Sequence, residues 1–281
     1  MAGTTPKARA LGAELRTARD AAGFSVRTLA TALDISHATL SRWETGDRSP
    51  KPEMVAAYLA KVDAPAELRS ELVELARNPD GPHWLSVGMP EQQRQLGALL
   101  DMESTATTVT TVAPTLIPGL LQTAEYTRAI MTAGQVPASE ISTRVAVRIG
   151  RRDAITRKQP VHLNAFIDES ALKQNIGGPQ VMADQAKAIL DASELANVKI
   201  RVIPADCGWH PGLEGAFVIL ESDTSVPVVH IETRASGLFL HVPEDVQPYQ
   251  DAVGAVSEAA MSEAASRKLI AEVSKELEPK S

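Results

Sequence analysis

The chain has 281 residues, 44% of them hydrophobic and 22% charged, with a formal net charge of −7 and a single cysteine. This composition fits a folded chain long enough for two domains and excludes wholesale disorder. The lone Cys207 rules out an intrachain disulfide and fits a reducing cytoplasm; the apolar runs are too short to span a bilayer, and the N-terminus lacks a signal-peptide core.

The charge is unevenly spread. Residues 1–52 carry eight Lys/Arg against five Asp/Glu, a net of +3, and the remainder carries twenty against thirty, a net of −10. A basic head on an acidic body points to a nucleic-acid-reading module carried by a sensing or partner-binding domain. The excess is small, so specific affinity calls for two heads, that is, a homodimer.

In chain order, residues 8–22 are predicted to form an amphipathic helix with Leu11 and Leu15 inward and Gly23 at its C-terminal cap. Two short helices follow, capped by Ser25 and Ser36, with Leu33-Asp34-Ile35 as the turn between them. Leu29, Ala30, Leu33, Ile35, Leu40 and Trp43 recur at helical spacing and face inward. His37, Ala38, Thr39, Ser41 and Arg42 are left outside, as a helix lying in the DNA major groove requires. Gly46 ends this helix, and further helices are predicted at 53–62 and 66–77.

The segment NPDGPHW (78–84) is punctuated by Pro and Gly and reads as a hinge. Beyond it, helices are predicted at 91–105, 123–133, 139–157, 169–175, 179–195, 244–258 and 263–277. Strands are predicted at 107–114, 161–168, 198–203, 215–221, 227–232 and 237–241. The expected architecture is an all-α five-helix domain over 1–78, a linker over 79–90 and an α+β, mixed-sheet domain over 91–281.

The run S-H-A-T-L-S-R-W-E-T-G from Ser36 to Gly46, in its helical context over 8–77, resembles the DNA-binding domain of lambda-repressor-like regulators, the xenobiotic-response-element type. The resemblance implies base-edge contacts by His37, Ala38 and Arg42, with Arg42 suited to a bidentate contact to guanine. It implies phosphate contacts by Ser25, Ser36, Arg48 and Lys51. Where the family often has a phosphate-binding Gln this chain has Val26, and Arg27 is the expected replacement. An acid at position 44 would be repelled by DNA, and the family pairs it with an arginine of the first helix. Arg19 and Glu44 are therefore expected as a structural ion pair, with Trp43 in the core rather than a stacking platform.

The segments IPGLLQTAEYTRAI (117–130), IDESALKQNIGGPQVMADQ (167–185), IRVIP (200–204) and GWHPGLEGAFVILE (208–221) resemble a C-terminal domain carried behind lambda-repressor-like heads in many actinobacterial regulators. That resemblance implies an antitoxin-like pathway regulator, often paired with a small partner protein, and no defined chemistry. Within it, PADCGWHPGLEG (204–215) places Cys207, Trp209 and His210 in a Gly/Pro-rich loop that either lines a pocket, presents Trp209 to a partner, or tucks Trp209 into the sheet as a crossover. The IPGLLQT loop either accepts an anion at the following helix N-terminus or packs Leu120 and Leu121.

Cys207 and His210, even with His230 and His241, lack a second clear ligand pair for zinc, and no phosphate loop, dinucleotide fingerprint or nucleophile elbow is visible. The expectation is a non-enzymatic, cytoplasmic, sequence-specific transcription regulator without metal or cofactor. It would bind double-stranded DNA as a homodimer on a palindromic operator, with a body that senses a ligand or binds a small partner. The competing expectation is an antitoxin-like interaction module whose main role is holding a small basic partner, DNA binding serving autoregulation.

Overall fold

In the computed structural model, residues 5–77, 79, 81, 83–87, 91–223 and 225–277 are described. The first five elements are helices: α1 (Pro6–Ala21), α2 (Val26–Ala32), α3 (His37–Glu44), α4 (Pro52–Lys61) and α5 (Ala66–Leu75). Their starts are fixed by local chemistry. Thr5, Ser25 and Ser36 each accept a hydrogen bond from the amide three residues on, at 3.1, 3.1 and 3.0 Å, and Pro6 and Pro52 occupy first-turn positions where no amide is needed. Asp34 turns the chain between α2 and α3 with φ of 55°, and Gly23 and Gly46 leave α1 and α3 at 73° and 76°, in the left-handed region.

The chain divides into two compact units, residues 1–105 with 222–246 and residues 106–221 with 247–281. In the first, Leu11, Leu15, Leu29, Leu40, Tyr58, Leu59 and Leu72 are fully inaccessible and form the core of the helical head. Two further parts belong to this unit. Helix α6 (Glu91–Thr105) is tied to α1, with Arg9 donating to Thr105 at 2.7 Å and to Asp101 at 3.4 Å. Strands β1 (His83–Val87), β6 (Ser225–Glu232) and β7 (Ser236–Leu240) pair antiparallel in the order β1-β7-β6. Trp84 stacks on Phe239 with ring centroids 5.8 Å apart, and His230 lies 4.4 Å from the same ring, so His230 is a packed residue of the ribbon.

The second unit holds β2 (Thr108–Ala113), β3 (His162–Asp168), β4 (Val198–Ile203) and β5 (Phe217–Ser222), in the order β5-β2-β3-β4. β2, β3 and β4 run parallel, and β5 pairs antiparallel to β2. The parallel connections run through α7 (Ala124–Ala133), α8 (Ala138–Gly150) and α9 (Asp153–Thr156), then through α10 (Glu169–Leu172) and α11 (Pro179–Ala192). Helices α12 (Pro243–Ala259) and α13 (Glu263–Leu277) follow the last strand. The five-helix region is thus followed by an α+β region with mixed strand pairing.

The register separates the two faces of this sheet. Val109, Leu163 and Val198 are neighbours in one row, at most 4% exposed, and Thr111, Ala165 and Ile200 form the next row on that face. The opposite face carries the row Thr110, Asn164 and Lys199, then Val112, Phe166 and Arg201.

Three local differences from the sequence expectation have physical causes. The helix predicted over 139–157 divides into α8 and α9, because the chain tightens after Gly150 at Arg151 and Arg152 (ψ of −25° and −22°) before helical bonding resumes. Strand β1 lies within the stretch read as a linker. Its five residues are flanked by Pro and Gly, which masked the alternation of buried Trp84 and Ser86 with exposed His83 and Leu85. Short 3-10 turns occur at Gly119–Leu121 and Pro211–Glu214, where loops were expected.

Candidate functional site

The head presents α3 on its surface. His37, Ala38 and Arg42 are exposed, whereas Thr39 and Ser41 are half-buried and Leu40, Trp43 and Glu44 are buried, so one face of an eight-residue helix holds the core and the other meets solvent. Leu29 and Ala30 are buried with them, while Leu33 and Ile35 are half-buried at the turn. Around α3, Ser25, Arg27, Ser36, Arg48 and Lys51 are also exposed. Arg27 and Arg42 lie on α2 and α3, and Arg48 and Lys51 on the loop between α3 and α4.

Ser25 and Ser36 accept amide hydrogens at the starts of α2 and α3, and each hydroxyl also meets the Thr hydroxyl three residues on, at 2.9 and 2.8 Å. These hydroxyls sit at helix N-termini, where the partial positive charge of the aligned peptides favours a phosphate. Val26, at the start of α2, is half-buried and offers no such donor.

Beneath this surface Arg19 Nε and Nη2 donate to the two Glu44 carboxylate oxygens at 2.7 and 2.8 Å, a bidentate pair with side chains only 8% and 5% exposed. Arg19 Nη1 turns to Asp20 at 2.6 Å and to the Phe24 carbonyl at 2.8 Å. The Glu44 hydrogen bond raises the Arg19 pKa, with burial opposing it, so the guanidinium is charged throughout. Tyr58 of α4 completes the group: its hydroxyl is 2.6 Å from Glu44 Oε1 and 2.8 Å from the Leu15 carbonyl oxygen. Burial, and then the Glu44 hydrogen bond, push the Tyr58 pKa up, so the phenol remains a donor. One carboxylate therefore ties α1, α3 and α4 together directly below the exposed residues of α3.

Sequence reasoning missed Tyr58, which no motif spacing connects to Glu44, and it missed Gly12. A Cβ on Gly12 would lie 2.6 Å from the Trp43 carbonyl oxygen and 2.8 Å from that of Glu44, so only glycine lets α1 cross the end of α3 this closely. The available signal was a glycine inside an otherwise good helix, which costs about 1 kcal/mol relative to Ala unless packing requires it. Gly46 has the same character, with its Cβ position 2.8 Å from the Arg9 backbone.

In the second unit, the loop 204–215 follows β4. Trp209 is 72% exposed and Leu213 is 54% exposed, which overturns the reading of Trp209 as tucked into the sheet. Gly208 at φ of 82° lets the chain turn outward before Trp209, while the next side chain, His210, points in and is 4% exposed. His210 Nε2 lies 3.8 Å from Asp168 Oδ2 at the end of β3, and its Nδ1 has no hydrogen-bond partner among the described residues. Cys207 is half-buried with its Sγ 3.7 Å from the Gly208 carbonyl oxygen, and no hydrogen bond joins it to His210 among the described residues. No three His, Cys, Asp or Glu side chains come together as metal ligands among the described residues. Glu169 is held below the usual carboxylate range by Lys173, which donates to it at 2.5 Å, and by the Ala205 amide at 3.0 Å. Leu120 and Leu121 are buried, so the IPGLLQT loop is a packing turn.

No helix among the described residues is long and apolar enough to cross a membrane. Residues 10–72 match the model of a helix-turn-helix domain, and residues 96–272 match that of a domain of unknown function, DUF5753. Comparison with curated proteins and with solved structures returns no match. The helix-turn-helix match supports a DNA-binding regulator. Because the second match spans more than half of the chain, the protein belongs to the DUF5753 family, here with a helix-turn-helix head.

Proposed function

We propose that this protein is a sequence-specific transcription regulator that places α3 in the major groove, and that it acts as a homodimer on a palindromic operator. The observation that carries the reading is the exposed set His37, Ala38 and Arg42 on a helix whose other face is locked by Arg19, Glu44 and Tyr58. His37, Ala38 and Arg42 read base edges; Ser25, Arg27, Ser36, Arg48 and Lys51 hold phosphates and set the register. Residues 1–78 act as the DNA-reading domain and 91–281 as the regulatory one. Two heads one helical turn apart predict half-sites about 10 bp apart, centre to centre.

The test is selection of genomic fragments by the full-length protein beside Arg42→Ala. A palindrome recovered by the wild type and weakened about 5- to 150-fold by Arg42→Ala at its guanine is the expected result, since a bidentate guanine contact is worth about 1–3 kcal/mol. Enrichment that survives Arg42→Ala unchanged would remove Arg42 from the reading residues, and a half-site bound tightly by a monomer would remove the dimer.

One observation favours a second reading, that of an antitoxin-like module whose main role is holding a small basic partner. The exposed Trp209 and Leu213 lie on a loop flanked by exposed Asp206 and Glu214, an apolar anchor within an acidic rim. A basic partner whose capture depends on Trp209 supports it; capture that survives Trp209→Ala rejects that loop as its seat.

A further inference from the structure

A sheet face covered by a helix is normally apolar, because burying an uncompensated polar group costs free energy. The face of β2, β3 and β4 that carries Thr110, Asn164 and Lys199 departs from that pattern where it meets α12: Thr110 is buried, Asn164 half-buried and Lys199 exposed at the mouth. Thr110, Asn164 and Lys199 form one row across three neighbouring strands, and they line a cavity of about 530 Å³ with Gln250 and Ser257 of α12 and Glu263 at the start of α13. This volume lies within the range of small-molecule sites.

The polar groups around the cavity divide into two kinds. Arg201 is committed to the wall: it lies 5.7 Å over the Phe166 ring and donates to the Ser257 hydroxyl at 2.6 Å, the Ser257 and Ala260 carbonyls at 2.7 and 2.6 Å, and the Met261 carbonyl at 2.7 Å. Lys199 and Gln250, by contrast, make no side-chain hydrogen bond or ion pair among the described residues. Thr110 is only 6% exposed, and its one side-chain bond among the described residues is a long contact of 3.4 Å from Asn164. An uncommitted ammonium, two amides and two hydroxyls thus converge on one space, where Lys199 and Arg201 outnumber the single acid Glu263.

We infer that this cavity binds a small hydroxylated anion, a carboxylate or a phosphate ester. Lys199 receives the anionic group, and Thr110, Asn164, Gln250 and Ser257 bond the hydroxyls. Its role as the effector of DNA binding rests on the regulator reading above; binding itself does not.

Thermal unfolding of the full-length protein with millimolar glucose 6-phosphate, gluconate or uncharged glucose tests the site. One or both anions are expected to raise Tm by about 5 °C as the site saturates, and glucose is not. Lys199→Gln abolishes the shift and Lys199→Arg retains it, whereas Lys187→Gln on α11 responds as the wild type. Glucose 6-phosphate without gluconate identifies a phosphate site, and the reverse a carboxylate site. No shift from either anion, an equal shift from glucose, or a shift that survives Lys199→Gln overturns the proposal. Anisotropy on the selected operator, with and without the active anion, separates the two ideas. An anion bound through Lys199 by a protein that ignores DNA leaves the site and overturns the regulator; an operator affinity indifferent to the bound anion overturns the effector role.

Discussion

Replacing Glu44 by Gln tests the clamp that holds α3. The carboxylate receives two bonds from Arg19 at 2.7 and 2.8 Å and one from Tyr58 at 2.6 Å, and both partners of the ion pair are less than a tenth exposed. Gln preserves the volume and one acceptor oxygen, but it turns an amide NH2 toward a donor and removes the counter-charge of a buried guanidinium. Asp20 remains as a partner of Arg19, but with a side chain 63% exposed it is heavily screened. Breaking a buried pair by removing one partner costs about 3–5 kcal/mol, and the retained acceptor places Glu44→Gln near the lower end, about 3 kcal/mol. With an m-value of about 1–3 kcal/mol per molar urea, the unfolding midpoint of the head should fall by about 1–3 M. Circular dichroism under a urea titration reads this directly, and operator affinity should fall with it because α3 loses its footing. A double variant, Arg19→Met with Glu44→Leu, should be no worse than Glu44→Gln, since it leaves no buried charge unpaired. If Glu44→Gln shifted the midpoint by no more than an exposed control substitution and left DNA affinity intact, the clamp would not hold the helix.

Gly12→Ala should destabilise the head by about 1–3 kcal/mol in the same titration, because backbone carbonyls stand where its Cβ would go, even though Ala is the better helix former; a gain in stability would contradict the close crossing. The Tyr58 pKa is raised in the folded state, so its contribution is fully present below the unfolded value of about 10 and lost as pH rises further. Stability of the wild type should fall above about pH 10, and Tyr58→Phe should flatten that slope by about 1.4 kcal/mol per pH unit; equal alkaline slopes in urea would refute this. Trp209→Ala should change stability by no more than about 0.5 kcal/mol, as expected for a side chain 72% exposed, and a drop of several degrees in Tm would mean that the ring is packed.

The head was legible because each of its elements announces itself locally. Ser25 and Ser36 cap helices, Asp34 and Gly46 take left-handed geometry, and the apolar spacing sorts Leu29, Leu40 and Trp43 from His37, Ala38 and Arg42. What was hidden depends on contacts between distant segments. Tyr58 reaches Glu44 from another helix, and the need for Gly12 exists only once α3 crosses α1. In the second unit the strands were visible by alternation, but their parallel order was not, since register between residues dozens of positions apart leaves no local mark. The polar row was therefore invisible: Thr110, Asn164 and Lys199 look like ordinary strand residues until pairing sets them side by side. Trp209 shows the opposite failure, because hydrophobicity argues for burial while Gly208, in left-handed geometry, turns the loop outward.

β4, with the sequence VKIRVI, pairs with β3 along one side only, and on its other side the Met261 amide donates to the Val202 carbonyl at 2.8 Å while the Val202 amide donates to Ser266 Oγ at 2.8 Å. Arg201 fastens the same segment by its bonds to residues 257, 260 and 261. Residues 261–266 therefore act as a cover over β-rich, aggregation-prone backbone. A chain that ended before Met261 would expose a template to which another copy could add a strand, and would form insoluble assemblies rather than a shortened regulator.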